Sequence, residues 1–186
     1  MEAKLGTRVP YIFDQMNSVE GKDKFEKLLG RGLALGCKMS FIGSRTVNFA
    51  STADSDFDIV VHDVDRWQNL EYWLHRNSFE MTKDSLGRTP DFRSYKDPTG
   101  RFNFIFAKDL DFYTKTVAAN NICVDLEIVD KDTRIKVFEF MREEKGAMDG
   151  NSFAKLLEEE SNQDGFRKGQ RSKTSAMGGG EASVPF

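Results

Sequence analysis

The chain has 186 residues, of which 39% are apolar and 31% are charged, and its formal net charge is −3. This length and composition predict a soluble protein with one core of ordinary size. No apolar run is long enough to span a bilayer, and the slightly negative charge excludes a broad nucleic-acid-binding face. Cys37 and Cys123 are far apart and match no metal or redox spacing, so we expect reduced thiols in a cytoplasmic protein.

The N-terminal part is predicted to hold an arm, a helix and a strand. Residues 1–20 are expected to be an extended arm, because Pro10 disfavours helical conformation in the residue before it. Apolar residues recur at helical spacing from Lys22 to Leu35, and Gly36 suits the left-handed conformation that ends many helices. The segment 38–42 is then predicted to be a strand.

The rest of the chain is predicted to alternate helices and strands before a polar tail. The elements, in order, are a short helix at 45–50, a strand at 56–61, a helix capped by Asp63 or Asp65 and ending at about Arg76, a strand and a Gly87 turn within 79–89, a hairpin of 92–96 and 101–106, a helix from Asp109 or Asp111 to about Asn120, and a helix from Asp130 or Asp132 with Ile135, Phe138 and Met141 on one face. Residues 161–186 are rich in Gly, Ser and Lys, which predicts a disordered tail. The expected fold class is therefore α/β, with one domain over 1–160 and a small mixed β-sheet flanked by helices.

Two acidic residues on the strand at 56–61 are the main functional signal. Because strand side chains alternate, Asp56 and Asp58 are expected on one face of the sheet while Phe57 faces the core. Two carboxylates on one face repel each other unless a cation lies between them. Mg²⁺, which carboxylates and phosphate oxygens bind together, meets this requirement, with Mn²⁺ as the alternative.

The turn before this strand offers groups that suit a phosphate. Gly43 lets the backbone approach a phosphate closely, and Ser44 supplies a hydroxyl and an N–H at a predicted helix start. Arg45 adds a planar guanidinium that is always charged. Nucleotidyl transfer needs a triphosphate held in line and its charge neutralised by metal. We therefore predict nucleotide binding by Gly43, Ser44 and Arg45, and catalysis and metal binding by Asp56 and Asp58.

Gly43-Ser44 followed by Asp56-Phe57-Asp58 resembles the signature of the DNA polymerase β-like nucleotidyltransferase superfamily. The resemblance implies a small mixed sheet with helices on one side, and transfer of a nucleoside monophosphate from a nucleoside triphosphate such as ATP. More loosely, Gly43-Ser44-Arg45 together with 92–96, the Asn103 strand and 130–135 resembles the small nucleotidyltransferase-like proteins of tailed bacteriophages. That resemblance implies a protein of the host cytoplasm.

The superfamily pattern includes a third carboxylate on a later strand. The matching strand of this chain, 101–106, has Asn103 on the face opposite its phenylalanines, and an amide supplies neither charge nor a base. Asp125, in the alternating segment 124–128, is a rival third position, and Asp91 is a candidate replacement base.

Two hypotheses follow for the function. The first is an Mg²⁺-dependent nucleotidyltransferase whose acceptor is an unidentified hydroxyl on a protein, a small molecule or an RNA end. The second is a catalytically inactive protein of the same fold that binds a nucleotide or a host protein partner.

Overall fold

The computed structural model describes residues 9–62, 67–82 and 91–143. The sequence predictions for Asp63, Asp65, the Gly87 turn and the 161–186 tail lie outside these ranges. Within them, the elements are α1 (Val9–Met16), α2 (Lys22–Leu35), β1 (Lys38–Ile42), a 3₁₀ turn (Ser44–Thr46), β2 (Phe57–His62), α3 (Trp67–Arg76), β3 (Glu80–Met81), β4 (Phe92–Lys96), β5 (Phe102–Ala107), α4 (Leu110–Asp125) and α5 (Lys131–Glu143). None of the helices in the described ranges has the length and apolar character needed to cross a membrane.

The five described strands form one mixed sheet in the order β1-β2-β5-β4-β3. β2 and β5 are parallel, whereas the other three neighbouring pairs are antiparallel. The expected hairpin at 92–96 and 101–106 is thus present as β4 and β5. Because β2 and β5 are neighbours and parallel, residues at their N-terminal ends lie at the same end of the sheet.

Helices pack against both faces of this sheet. On one face, α1, α2 and α3 enclose an apolar core in which Phe25 stacks on Phe102 with ring centroids 4.5 Å apart. On the other face, α4 packs against β1, β2 and β5, and α5 packs against α4. The stacked pair Phe92 and Phe112 belongs to this second face. The expected small mixed sheet flanked by helices is confirmed, and its helices lie on both sides rather than on one.

The extended arm predicted for residues 1–20 is wrong over Val9–Met16, which form α1. Pro10 lies in the first turn of this helix, where its missing N–H leaves no intrahelical hydrogen bond unmade. Ile12 and Met16 are one turn apart and both are fully buried in the core. Burial of this apolar stripe therefore favours a helix just where the proline rule suggested an extended chain.

α4 continues beyond its predicted end at Asn120 and includes Asp125. Ala119, Ile122 and Cys123 recur at helical spacing and are all buried, so the helical period prevails over the two-residue alternation of 124–128. The alternative strand at 124–128 is consequently wrong. Asp125 is exposed at the end of a helix and supplies no third carboxylate to the sheet.

The ends of three helices agree with their capping residues in the sequence. Gly36 ends α2 with a left-handed φ of 87°. Asp109 caps α4 by accepting a hydrogen bond from the Phe112 N–H at 2.8 Å, and Asp130 caps α5 by accepting from the Thr133 N–H at 2.7 Å. These local signals place α4 and α5, and therefore the helical side of the candidate site.

Candidate functional site

Strand register aligns three polar side chains across the α4 face of the sheet. Asp58 of β2 is the cross-strand partner of Asn103 in β5, and Asn103 is the partner of Lys96 in β4. Paired residues of neighbouring strands share a face, so Asp58, Asn103 and Lys96 form one row. Phe57 and Phe102, next to this row in sequence, face the opposite core, as the alternation predicted.

Gly43 follows the last residue of β1 and lies directly beside Asp58. Its φ of 82° lies in the left-handed region, and a Cβ atom at this position would be 2.7 Å from Asp58 Oδ2. A side chain would thus be strained by the backbone and would also collide with the carboxylate. Glycine is required here because the Asp58 carboxylate packs against the turn itself.

Asn120 of α4 fixes the conformation of that turn and was missed by sequence reasoning. Its Oδ1 accepts a 2.8 Å hydrogen bond from the Gly43 N–H and lies 3.0 Å from Thr46 Oγ1. Thr46 Oγ1 is also 2.7 Å from the Gly43 carbonyl oxygen. The Gly43 N–H is therefore already engaged, and Ser44 is left to supply donors to a ligand. The signal in the sequence was spacing: Thr116 and Asn120 recur at helical period with the apolar Ala119 and Cys123, and the structure shows that this stripe is buried.

The short helix expected at 45–50 is reduced to the 3₁₀ turn Ser44–Thr46. Val47, which follows it, has an extended backbone with φ of −98° and ψ of 133°. Because a single turn of this kind has a much weaker dipole than an α-helix, the helix-start contribution expected at Ser44 is smaller than predicted.

Asp58 is partly buried and held by an amide. Its Oδ1 accepts a 2.8 Å hydrogen bond from Asn103 Nδ2, while Asn103 Oδ1 accepts a 2.6 Å hydrogen bond from Ser94 Oγ. The pKa of Asp58 is raised from 3.8 to about 6: burial is the largest cause and the neighbouring Asp56 acts in the same direction, whereas Asn103 and Lys96 oppose the shift. A charged Asp58 is therefore unfavourable unless a cation joins it.

Asp56 lies just before β2 and is paired with a cation of the chain itself. Lys96 Nζ is 2.5 Å from Asp56 Oδ2. The exposed fractions of the two side chains are 36% and 30%, respectively, so the pair faces a solvent-accessible region. Lys96 occupies the last position of β4, beyond Asn103 in the row, and reaches across it to Asp56.

A cavity of about 610 Å³ lies between the two acidic residues, Asp56 and Asp58, and helix α5. Among the described residues, one side is formed by the turn and the acidic strand, and the other by the start of α5; the lining includes Gly43, Ser44, Asp56, Asp58, Val129, Lys131, Arg134, Ile135 and Phe138. The Arg134 side chain donates to the carbonyl oxygens of Ile128 and Val129, in the segment that precedes α5. Lys131 is exposed and lies at the N-terminal end of α5.

The structure separates Arg45 from this cavity. Its side chain is only 8% exposed and donates to Gln15 Oε1 at 3.0 Å and to the Ser55 carbonyl at 2.9 Å. The guanidinium also lies 4.4 Å from the ring centroid of Phe57. Arg45 thus fastens the loop that precedes Asp56. This geometry favours a structural role over the phosphate contact predicted from the sequence.

Asp91, the candidate replacement base, belongs to a different part of the molecule. It pairs with Arg142 of α5 at 3.3 Å and precedes the first residue of β4, whereas Lys96 is the last. At about 3.3 Å per residue, the two positions are roughly 16 Å apart along the strand. Asp91 is therefore too distant to act on a group bound at Asp56.

The donor set suits one divalent cation better than two. Asp56 and Asp58 both line the cavity and supply carboxylate oxygens, the ligands that Mg²⁺ prefers. Asn103 instead directs its N–H toward Asp58, and its carbonyl oxygen is engaged by Ser94. In the described part of the chain, three or more His, Cys, Asp or Glu residues nowhere gather into a metal-binding group.

The sequence matches no family model and has no significant match among curated proteins. Similar solved structures include the conserved protein GrpB from Enterococcus faecalis, at 16% identity and a TM-score of 0.44 over 77% of this chain and 94% of that one. Cid1 in complex with its short product ApU is 14% identical, with a TM-score of 0.42 over 70% of this chain and 39% of Cid1. Terminal uridylyl transferase 4 from Trypanosoma brucei, with bound UTP and UpU, is 14% identical, with a TM-score of 0.40 over 64% of this chain and 43% of that one. This chain thus spans about two fifths of the last two proteins, and the roles of its residues rest on its own geometry.

Proposed function

We propose that this chain is a nucleotidyltransferase of the DNA polymerase β-like superfamily that binds a nucleoside triphosphate with Mg²⁺ and transfers the nucleoside monophosphate to a hydroxyl. The supporting observation is the Asp58 carboxylate packed against Gly43 in a cavity that Ser44 and Asp56 also line. This arrangement brings metal-binding oxygens next to the turn from which Ser44 can donate to a phosphate in the same cavity.

Each group of the site has a distinct role in this proposal. Asp56 and Asp58 hold the Mg²⁺, which neutralises charge on the triphosphate and orients it when bound. The Ser44 hydroxyl and N–H donate to phosphate oxygens from one side of the cavity. Lys131 supplies positive charge from the other side, at the N-terminal end of α5. In the transfer itself, the acceptor hydroxyl loses its proton to solvent and its oxygen bonds to the α-phosphorus as the bond to pyrophosphate breaks.

A second candidate function is binding without catalysis. Asn103 favours it, because a buried amide at the third position can neither remove the acceptor's proton nor add negative charge. The ligand would then be a nucleotide or a host protein partner. An origin in a tailed bacteriophage and a location in the host cytoplasm belong to the same set of proposals.

The test is transfer of label from each α-phosphate-labelled nucleoside triphosphate, with Mg²⁺ or Mn²⁺ and a cell lysate as the source of acceptors. We expect a labelled product with the native chain and none with Asp56→Asn or Asp58→Asn. Asp125→Asn is a matched control, because its side chain is exposed at the end of α4 and is not among the described residues that line the cavity. It should preserve transfer.

A measurement of thermal stability separates the two candidates. A ligand that binds only the folded state must raise the unfolding temperature. A rise with Mg²⁺ and nucleotide together, but no label transfer, supports the binding protein. No rise and no transfer with any of the triphosphates would refute the phosphate site altogether.

A further inference from the structure

We propose that the Lys96 ammonium takes the place of a second divalent cation, so that the site takes up one divalent cation with each nucleoside triphosphate. This inference rests on the proposed function and specifies how its charge is balanced. It assigns to Lys96 a role that the Gly-Ser and Asp-x-Asp pattern does not contain.

The first support is the position of Lys96 in the sheet. Asp58, Asn103 and Lys96 are consecutive partners across β2, β5 and β4. In this row the acidic residue is followed by an amide and then by an ammonium group. Lys96 Nζ reaches Asp56 Oδ2 at 2.5 Å, so the cation of the chain is bound to one of the two metal-binding acids.

The second support is the orientation of Asn103. Its Nδ2 donates to Asp58 Oδ1 at 2.8 Å, and Ser94 holds the opposite end of the amide at 2.6 Å. The side chain is only 7% exposed, so both ends are fixed within the sheet. A cation placed between Asp58 and Asn103 would meet an N–H donor on the Asn103 side, where a third carboxylate would offer an oxygen. The buried amide therefore excludes a metal from the position where a third carboxylate would bind one.

Charge balance leads to the same conclusion. With Asp56 and Asp58 ionised and Lys96 protonated, these groups and Asn103 together have a net charge of −1. Three carboxylates without a lysine would instead give −3 and would require two divalent cations. One Mg²⁺ suffices here, and it lies where Asp56 and Asp58 both face the cavity. Since an ammonium cannot accept a lone pair, Lys96 provides charge and hydrogen bonds without acting as a Lewis acid.

The experiment counts bound metal ions rather than product. Mn²⁺ is titrated into the intact chain with a saturating α,β-methylene analogue of each ribonucleoside triphosphate in equilibrium dialysis, and the Mn²⁺ that stays with the protein is counted as the difference in total Mn²⁺ between the two sides of the membrane. We expect one protein-dependent Mn²⁺ per chain. Lys96→Arg keeps the positive charge and should also bind one. The double variant Lys96→Met with Asn103→Asp removes the ammonium and restores a carboxylate, and it should bind two.

The possible outcomes separate this inference from the function on which it rests. Two Mn²⁺ ions in the native chain would overturn the inference and leave the proposed function intact. One ion in a double variant that retains a cooperative thermal transition would also overturn it, because the ammonium and the amide together would then not be what excludes the second ion. No protein-dependent Mn²⁺ with any analogue would overturn both. The native count needs no variant, so the inference is testable even if the double variant fails to fold.

Discussion

The substitution Asp58→Asn is predicted to stabilise the metal-free protein. Asp58 is partly buried, and burial raises the pKa of its carboxyl from 3.8 to about 6. The folded state thus disfavours the charged carboxylate, and an amide of the same shape removes that charge. Asn103 can still donate to the remaining carbonyl oxygen. A functional residue is expected to lower the stability of the folded state where the function requires a negative charge at a partly buried position.

The pKa shift of Asp58 sets the sign and the size of this effect. A raised pKa means that the folded state binds the proton more tightly, so stability is lost as pH rises from about 4 to above 6. The shift of about two units corresponds to an upper value of about 3 kcal/mol at pH 7.5. At pH 4 the same shift corresponds to only about 0.5 kcal/mol, because Asp58 is then largely protonated in the folded protein.

Urea unfolding of the native chain and the variant at pH 4 and pH 7.5, without divalent cations, measures the difference. The stability gain of Asp58→Asn should be several times larger at pH 7.5. Asp54→Asn removes a charge from a side chain that is 99% exposed, and it should change stability by less than about 0.5 kcal/mol at either pH. An equal gain at the two pH values, or a loss at pH 7.5, would contradict the assignment of burial as the cause.

The remaining predictions concern the turn and its supports. Gly43→Ala should destabilise the protein by about 2 kcal/mol or more in urea unfolding, because the left-handed backbone and the Asp58 carboxylate both oppose a Cβ. The control Gly30→Ala, in α2 with nothing within 4 Å of the added atom, should stabilise by up to about 1 kcal/mol, and equal effects of the two changes would contradict the crowding. Asn120→Ala leaves the Gly43 N–H without its acceptor and should lower the free energy of unfolding by about 1–3 kcal/mol; no change would show that water replaces it. In the variant Arg45→Lys, a single ammonium group cannot donate to both Gln15 and the Ser55 carbonyl as the guanidinium does. Limited proteolysis should therefore cleave the loop at 51–55 faster than in the native chain. An unchanged cleavage rate would argue against the role of Arg45 in holding this loop.

The sequence was sufficient where the information is local. Alternation along β2 predicts that Asp56 and Asp58 lie opposite the Phe57 side, whatever strands lie beside them. The caps Gly36, Asp109 and Asp130 act within one helical turn, and all three end or begin helices as expected. Pattern and chemistry within a few residues therefore predicted the acidic strand and most helix boundaries.

The partners of the site could not be predicted in this way, because they depend on sheet order. Lys96 is 40 residues from Asp56, and Asn120 is 77 residues from Gly43. No periodicity connects residues so far apart. The registers of β2 with β5 and of β5 with β4 bring Lys96 close to Asp56 and Asp58. The packing of α4 on the sheet brings Asn120 to Gly43. Arg45 shows the converse error. A local motif suggested a phosphate ligand, while the distant Gln15 side chain and the nearby backbone carbonyls of Ala53 and Ser55 accept the hydrogen bonds of the guanidinium.

The amide at the third position also predicts how transfer should depend on pH. A carboxylate there would accept the acceptor's proton, and the rate would level off above its pKa. Asn103 cannot accept a proton, and under the proposed function Asp58 would be engaged with Mg²⁺, so the hydroxyl would be deprotonated by solvent. We therefore expect the single-turnover rate at saturating Mg²⁺ and nucleotide to rise about tenfold per pH unit from pH 6 to 8. Asn103→Asp should produce a plateau in this range. A plateau in the native chain would instead show that another group removes the proton, and it would make Asn103 irrelevant to the rate.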